Sequence, residues 1–139
     1  MDTAIPSPPP RYPWQCPLFR LFSAEEASMF FNSYKCQNIG PGELHDMVQT
    51  GKEFLLLDVR TPREYTGDAI ENSTLIPLQE LEHRVQELPR DKEIVVYCRV
   101  GNRSAYACAY LARLGYRVKN LEGGITLWNR AGHASMSRV

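Results

Sequence analysis

The sequence predicts an α/β domain, with a mainly parallel central sheet, helices on both of its faces, and an N-terminal extension. Three observations lead there. From about residue 36 short apolar runs alternate with amphipathic stretches, the pattern of strands alternating with helices. The runs FLLLD at 54–58 and EIVVYC at 93–98 are apolar almost without a break, as buried strands are. The chain has 139 residues, 43% of them hydrophobic, enough for one domain with a real core and too few for two.

Each element has its own signal. Residues 1–17 hold six of the ten prolines, with PSPPP at 6–10. That composition favours extended polyproline II and packs no core by itself; Pro10-Arg11-Tyr12-Pro13 also admits docking to a proline-reading domain. In SAEEASMFFNSYK, residues 23–35, Ser23 and Glu26 form a capping-box pattern, and Ala27, Phe30, Phe31 and Tyr34 line one helix face. Residues 1–35 are therefore read as an extension, 36–131 as the domain and 132–139 as a C-terminal tail.

Within the domain, a short strand at 36–39 leads through Gly40-Pro41-Gly42 into the helix ELHDMVQT, stopped by Gly51. FLLLD follows, then a short helix TPREY with Thr61 as N-cap and Pro62 at N1. TLIPL at 74–78 reads as a strand closed by Pro77, and LQELEHRVQEL as an amphipathic helix ended by Pro89. After EIVVYC comes a small-residue helix at 104–115 with Gly115 as its stop, a last strand YRVKNL, and a final helix in GGITLWNRAG.

Composition narrows the function classes. Lys plus Arg equals Asp plus Glu, 16 each, so no global field draws in nucleic acid or an anionic membrane. No stretch approaches the roughly 18 apolar residues that a membrane helix needs. MDTAIPSPPPRYPWQ lacks the basic and apolar regions of a secretory signal, which favours the cytoplasm, where thiols stay reduced. The four cysteines, Cys16, Cys36, Cys98 and Cys108, form no CxxC pair, so neither a zinc site nor any cofactor is expected, and all four are read as free thiols. Cys108 reads as a structural, alanine-like residue on the packed helix, and Cys16 and Cys36, which lack a local electropositive partner, read as structural too.

Cys98 is the exception. In a parallel sheet ligands bind beyond the carboxyl ends of the strands, and Asp58, Cys98 and Glu122-Gly123 all reach that edge. Between Cys98 and Ser104, the expected cap of the next helix, the chain must turn within five residues. Gly101 supplies the backbone freedom and Asn102 tolerates left-handed geometry. Such a loop points its amides inward as an anion nest, and Arg99 and Arg103 add charge, a setting that lowers a thiol's pKa. The thiolate then suits attack on phosphorus or on sulfur. Cysteine phosphatases use C-x5-R, whereas here Arg103 arrives one residue early as C-x4-R, which leans toward sulfur.

These residues resemble the rhodanese family of sulfurtransferase domains. CRVGNRS looks like that family's six-residue active loop, and LLLDVRTPREY at 55–65, LIPL at 75–78 and LEGGITLW at 121–128 resemble its other signatures in order. The likeness runs from about residue 36 to 131; Asp68-Ala69-Ile70 departs from the Gly-His-Ile that many members carry. The resemblance implies a rhodanese-like fold and a persulfide on Cys98. It implies a small sulfur-containing anion such as thiosulfate as donor, with a thiol, a protein or cyanide as acceptor. It places Arg99, Val100, Gly101, Asn102 and Arg103 around the substrate, with either arginine a candidate for the donor's sulfonate. Asp58, Arg60 and Ser104 become supporting residues, the first two as an ion pair. Glu64 either pairs with an arginine or faces water, and Trp128 shares a helix stripe with Ile125, which makes core packing its default role and the wall of the pocket the lesser reading. His45, His83 and His133 show no ligand-like or base-like neighbour in the sequence. A phosphatase or arsenate reductase on the same fold, and a non-enzymatic interaction module, stand as alternatives.

Overall fold

The computed structural model describes residues 36–133 together with 135 and 136. The proline-rich segment, the helix expected at 23–35 and Cys16 lie outside the described residues. Five strands form one parallel sheet in the order β1-β6-β5-β2-β4. They are β1 (Gln37–Ile39), β2 (Phe54–Asp58), β4 (Thr74–Leu75), β5 (Glu93–Tyr97) and β6 (Val118–Leu121). The helices are α1 (Pro41–Gln49), α2 (Pro62–Gly67), α3 (Leu78–Arg84), α4 (Asn102–Arg113) and α5 (Gly124–Arg130), with a 3-10 turn at Val85–Glu87.

The strand β5 explains its own composition. It pairs with β2 from Phe54↔Glu93 to Asp58↔Tyr97 and with β6 from Ile94↔Val118 to Val96↔Asn120. Both of its faces are covered. Ile94 and Val96 point into a cluster with Leu57, Leu81, Ala107 and Leu111, whereas Val95 and Tyr97 point into a second with Ile39, Leu44, Ile125 and Trp128. A parallel strand buried on both sides needs an unbroken apolar run rather than an alternating one. Burying each such side chain contributes about 1.5–3 kcal/mol. Helices α3 and α4 cover the first face, α1 and α5 the second, so every strand delivers its carboxyl end to one shared edge.

Local signals place most boundaries. Thr61 caps α2 as expected, in a reciprocal capping box with Glu64, and Pro62 opens the helix. The helix α4 begins two residues earlier than its apolar pattern indicated. Its cap is Gly101, in left-handed backbone at φ 110°, and Ser104 sits inside the first turn, fully buried. The expected cap at Ser104 is thus corrected: its hydroxyl is turned to a different partner, described below. A two-stranded antiparallel ribbon of β3 (Ala69–Ile70) and β7 (Ser135–Met136) was not expected, because two residues carry no readable period. It brings part of the expected tail back onto the domain.

Cys36 and Cys108 form a disulfide, with Cα atoms 5.6 Å apart and a separation of 72 positions along the chain. The expectation of four free thiols is therefore corrected. Cys36 enters β1 on the face covered by α4, where Cys108 is wholly buried, and separation along the chain concealed that meeting. Cys98 is the free cysteine among the described residues. The pair does not match the reduced state expected of a cytoplasmic chain. No helix among the described residues is long and apolar enough to cross a membrane.

Because this crosslink closes a long loop, its reduction is expected to lower unfolding free energy by about 2–4 kcal/mol. Denaturation with and without reductant measures it, and the Cys36→Ser, Cys108→Ser double variant should show no reductant dependence.

Candidate active site

At the carboxyl end of β5 the chain leaves the sheet at Cys98, which is 1% exposed. Its Sγ accepts two hydrogen bonds, from the Gly101 amide at 3.1 Å and from the Ser104 hydroxyl at 3.2 Å. Gly101 makes this turn possible, since its positive φ folds the loop back directly into α4 and its carbonyl accepts the first helical bond, from Ala105 N, at 3.0 Å. The first amides of α4 have no partner within the helix, so the positive end of its dipole lies beside the sulfur.

The other side of the loop is fixed by α5. Ile125 N donates to the Cys98 carbonyl at 2.9 Å and Thr126 N to the Arg99 carbonyl at 3.1 Å. This approach demands glycine at position 124. A β-carbon there would stand 2.5 Å from both carbonyl oxygens, and Gly124 itself adopts φ 59°. The Gly123-Gly124 doublet was legible as a helix start; its contact with the cysteine loop was not.

Two ion pairs flank the loop. Arg103 grips Glu64 through two bonds, Nη1 to Oε1 at 2.8 Å and Nη2 to Oε2 at 2.9 Å. The bond from Arg103 holds the Glu64 carboxyl down at about 2 against the opposing effect of burial, with help from the Thr61 amide. Of the two roles open to Glu64, pairing is the one adopted, and Arg103 is committed to it.

The second pair is Asp58 and Arg60, 0% and 2% exposed. Arg60 Nε lies 3.0 Å from both carboxylate oxygens and Nη2 2.8 Å from Oδ2. Nη2 also donates to the Asp68 carbonyl at 2.6 Å, which ties β2 to the turn before β3. Burial works against the Arg60 charge, but the Asp58 bond and charge more than offset it, and its pKa rises. The guanidinium lies 5.6 Å from the centre of the Tyr97 ring. The Tyr97 hydroxyl donates to Ser73 Oγ at 3.0 Å and accepts from Ile70 N at 3.2 Å; burial, then Asp58, pushes its pKa up.

Of the residues singled out in the sequence, Cys98, Gly101 and Ser104 are in direct contact. Asn102 opens α4 on the surface, and Val100 is 55% exposed at the loop tip. Arg99 is exposed and lines a cleft of about 530 Å³ with Arg60, Arg63, Glu64, Asp68, Thr126, Asn129 and Arg130. Arg63, Asn129 and Arg130 were not anticipated there, because they sit on exposed helix faces with no local motif. Trp128 and Ile125 are core residues, as their spacing indicated. The histidines have neighbours that no local motif announced: His45 and His133 stack with centroids 4.5 Å apart, and both meet Trp128. No side-chain hydrogen bond joins either to the Cys98 loop among the described residues. No group of three or more His, Cys, Asp or Glu residues that could hold a metal ion occurs there either.

A parallel α/β domain that presents a buried thiol in a tight loop at a helix N-terminus is a cysteine-loop domain. The chain belongs, more narrowly, to the rhodanese-like domain family, whose sequence model matches residues 40–131. It is 45% identical over 82 residues to a protein of Allochromatium vinosum named sulfurtransferase, covering 58% of this chain and 77% of that one. A rhodanese-related protein of Thermoplasma volcanium has a similar structure, with a TM-score of 0.68 and 36% identity over 73% of this chain and 98% of that one. So has a thiosulfate sulfurtransferase of Pseudomonas aeruginosa, with a TM-score of 0.71 and 25% identity over 78% of this chain and 21% of that longer one.

The pH dependence of stability follows from Glu64. Its folded pKa, about 2, lies below its ordinary value of 4.5, so its contribution is full above 4.5 and is lost as pH falls toward 2. Both partners are partly exposed, Arg103 by 36%, so solvent screening limits the contribution to about 1 kcal/mol. Urea denaturation of Arg103→Ala between pH 5 and about pH 2.5 should show a shallower loss of stability than the native chain.

Proposed function

We propose that the protein is a sulfurtransferase that carries sulfane sulfur as a persulfide on Cys98. The observation that carries this reading is the Sγ geometry, one backbone amide and one buried hydroxyl both donating to sulfur. A neutral thiol needs no such pair of donors, whereas an anionic sulfur is stabilised by them. The names of the relatives above support the same chemistry.

In the first half-reaction the Cys98 thiolate attacks the outer sulfur of thiosulfate. A Cys98–sulfur bond forms, the bond to the sulfonate sulfur breaks, and its electron pair leaves on sulfite. The negative charge left on the outer persulfide sulfur sits beside the α4 N-terminus. In the second half-reaction an acceptor thiolate attacks that outer sulfur, becomes a persulfide itself, and returns Cys98 to the thiolate. Cyanide serves the same role and leaves as thiocyanate.

Of the two arginines that the sequence offered for the donor's sulfonate, Arg99 has a guanidinium without a protein partner among the described residues, whereas Arg103 is held by Glu64. Arg99 is therefore assigned to the donor and Arg103 to fixing α2 against α4. The same commitment of Arg103 argues against a phosphate, which would need that arginine free. Asp58 and Arg60 support the edge on which the loop rests; breaking a buried pair of this kind costs about 3–5 kcal/mol.

Steady-state kinetics with thiosulfate and cyanide should give parallel double-reciprocal lines, because the two substrates never occupy the site together. Cys98→Ser should show no turnover. Arg99→Ala should raise KM for thiosulfate about tenfold, the loss of one charge-assisted contact, with a smaller change in kcat. Intersecting lines, or turnover by Cys98→Ser, would refute the covalent scheme.

A further inference from the structure

The cleft beside the Cys98 loop carries more positive charge than a sulfur donor uses. It lies between α2 and α5, with Arg60 among its lining residues, and four guanidinium groups face two carboxylates. Pairing removes much of this. Arg60 is neutralised by Asp58, and Glu64 is neutralised by Arg103, which is not part of the lining. Asp68 is shared between Arg60 and the Asn129 amide, at 3.4 Å each. Arg63, Arg99 and Arg130 are left, and none of the three makes a side-chain hydrogen bond or ion pair among the described residues.

Three unpaired guanidinium groups around one concavity repel each other and focus a positive field into it. The planar fork of arginine matches the two oxygens of a carboxylate or other oxyanion. Arg99 extends from the residue next to the sulfur carrier and is occupied by the donor in the scheme above. Arg63 on α2 and Arg130 on α5 stand on the cleft's two walls and have no role in that scheme. Thr126 and Asn129 add neutral polar groups on the α5 wall.

We propose that this cleft binds the carboxylates of a small anionic thiol, with Arg63 and Arg130 as the specificity residues, and that this thiol receives sulfur from Cys98. Transfer is the second half-reaction already given: the acceptor thiolate takes the outer sulfur, and Cys98 leaves as thiolate. The inference rests on the sulfurtransferase reading for the transfer and on the cleft alone for the binding.

The test separates the two. Mercaptosuccinate, with two carboxylates and one thiol, is titrated calorimetrically into the full-length Cys98→Ser chain at low salt, with 2-mercaptoethanol as the neutral comparison. Saturable binding of mercaptosuccinate alone is expected, weakened about tenfold by Arg63→Ala and by Arg130→Ala, and unaffected by Lys92→Ala on a different surface. With the native cysteine, the ratio of kcat/KM for mercaptosuccinate to that for 2-mercaptoethanol should fall about tenfold in either arginine variant. Absence of binding, binding indifferent to both arginines, or an unchanged ratio would overturn the proposal; an acceptor that is a protein would give the last result. Binding that follows the arginines while the native chain, given thiosulfate, forms no persulfide on Cys98 and passes no sulfur to thiol or cyanide would uphold the anion site and refute the sulfurtransferase reading instead.

Discussion

The site depends on a close contact between two backbones. The amides that open α5 hold the carbonyls of Cys98 and Arg99, and only glycine at 124 lets them come near enough. Buried carbonyls require partners. With these two satisfied on the α5 side, the loop's geometry is settled, and the Gly101 amide is free to face the sulfur. The left-handed turn at Gly101 then starts α4 at once, which places Ser104 in the first turn with its hydroxyl on Sγ.

Charge is arranged by subtraction. The domain has several arginines near the carboxyl edge of the sheet, and carboxylates remove two of them from chemistry. Asp58 holds Arg60 in the interior, where its bond to the Asp68 carbonyl ties the edge of β2 to the following turn. Glu64, itself oriented by the capping box of α2, holds Arg103. Arg99, Arg63 and Arg130 then face the cleft uncompensated. The chain's net charge of zero conceals this local excess entirely.

How much of this was legible depended on range along the chain. The central strands were readable because burial on both faces forces an unbroken apolar run, and α2 because its cap, its proline and Glu64 lie within four residues. The cysteine loop was readable because a strand end, a glycine and a helix start fall within seven. Ser104 was mistaken for a cap because a serine before an apolar helix face usually is one; the left-handed glycine three residues earlier took that role. Contacts that join distant segments left no local trace. The Cys36–Cys108 disulfide, the β3–β7 ribbon, the stacking of His45 on His133, and the presence of Arg63 and Arg130 on one cleft are all of this kind.

The central claim is that sulfur resides covalently on Cys98 between half-reactions. Intact-mass measurement of the full-length chain after incubation with thiosulfate, beside Cys98→Ser treated identically, tests it most directly. A gain of about 32 Da, one sulfur atom, is expected on the native chain alone, reversed by cyanide. No gain, or an equal gain on Cys98→Ser, would contradict it.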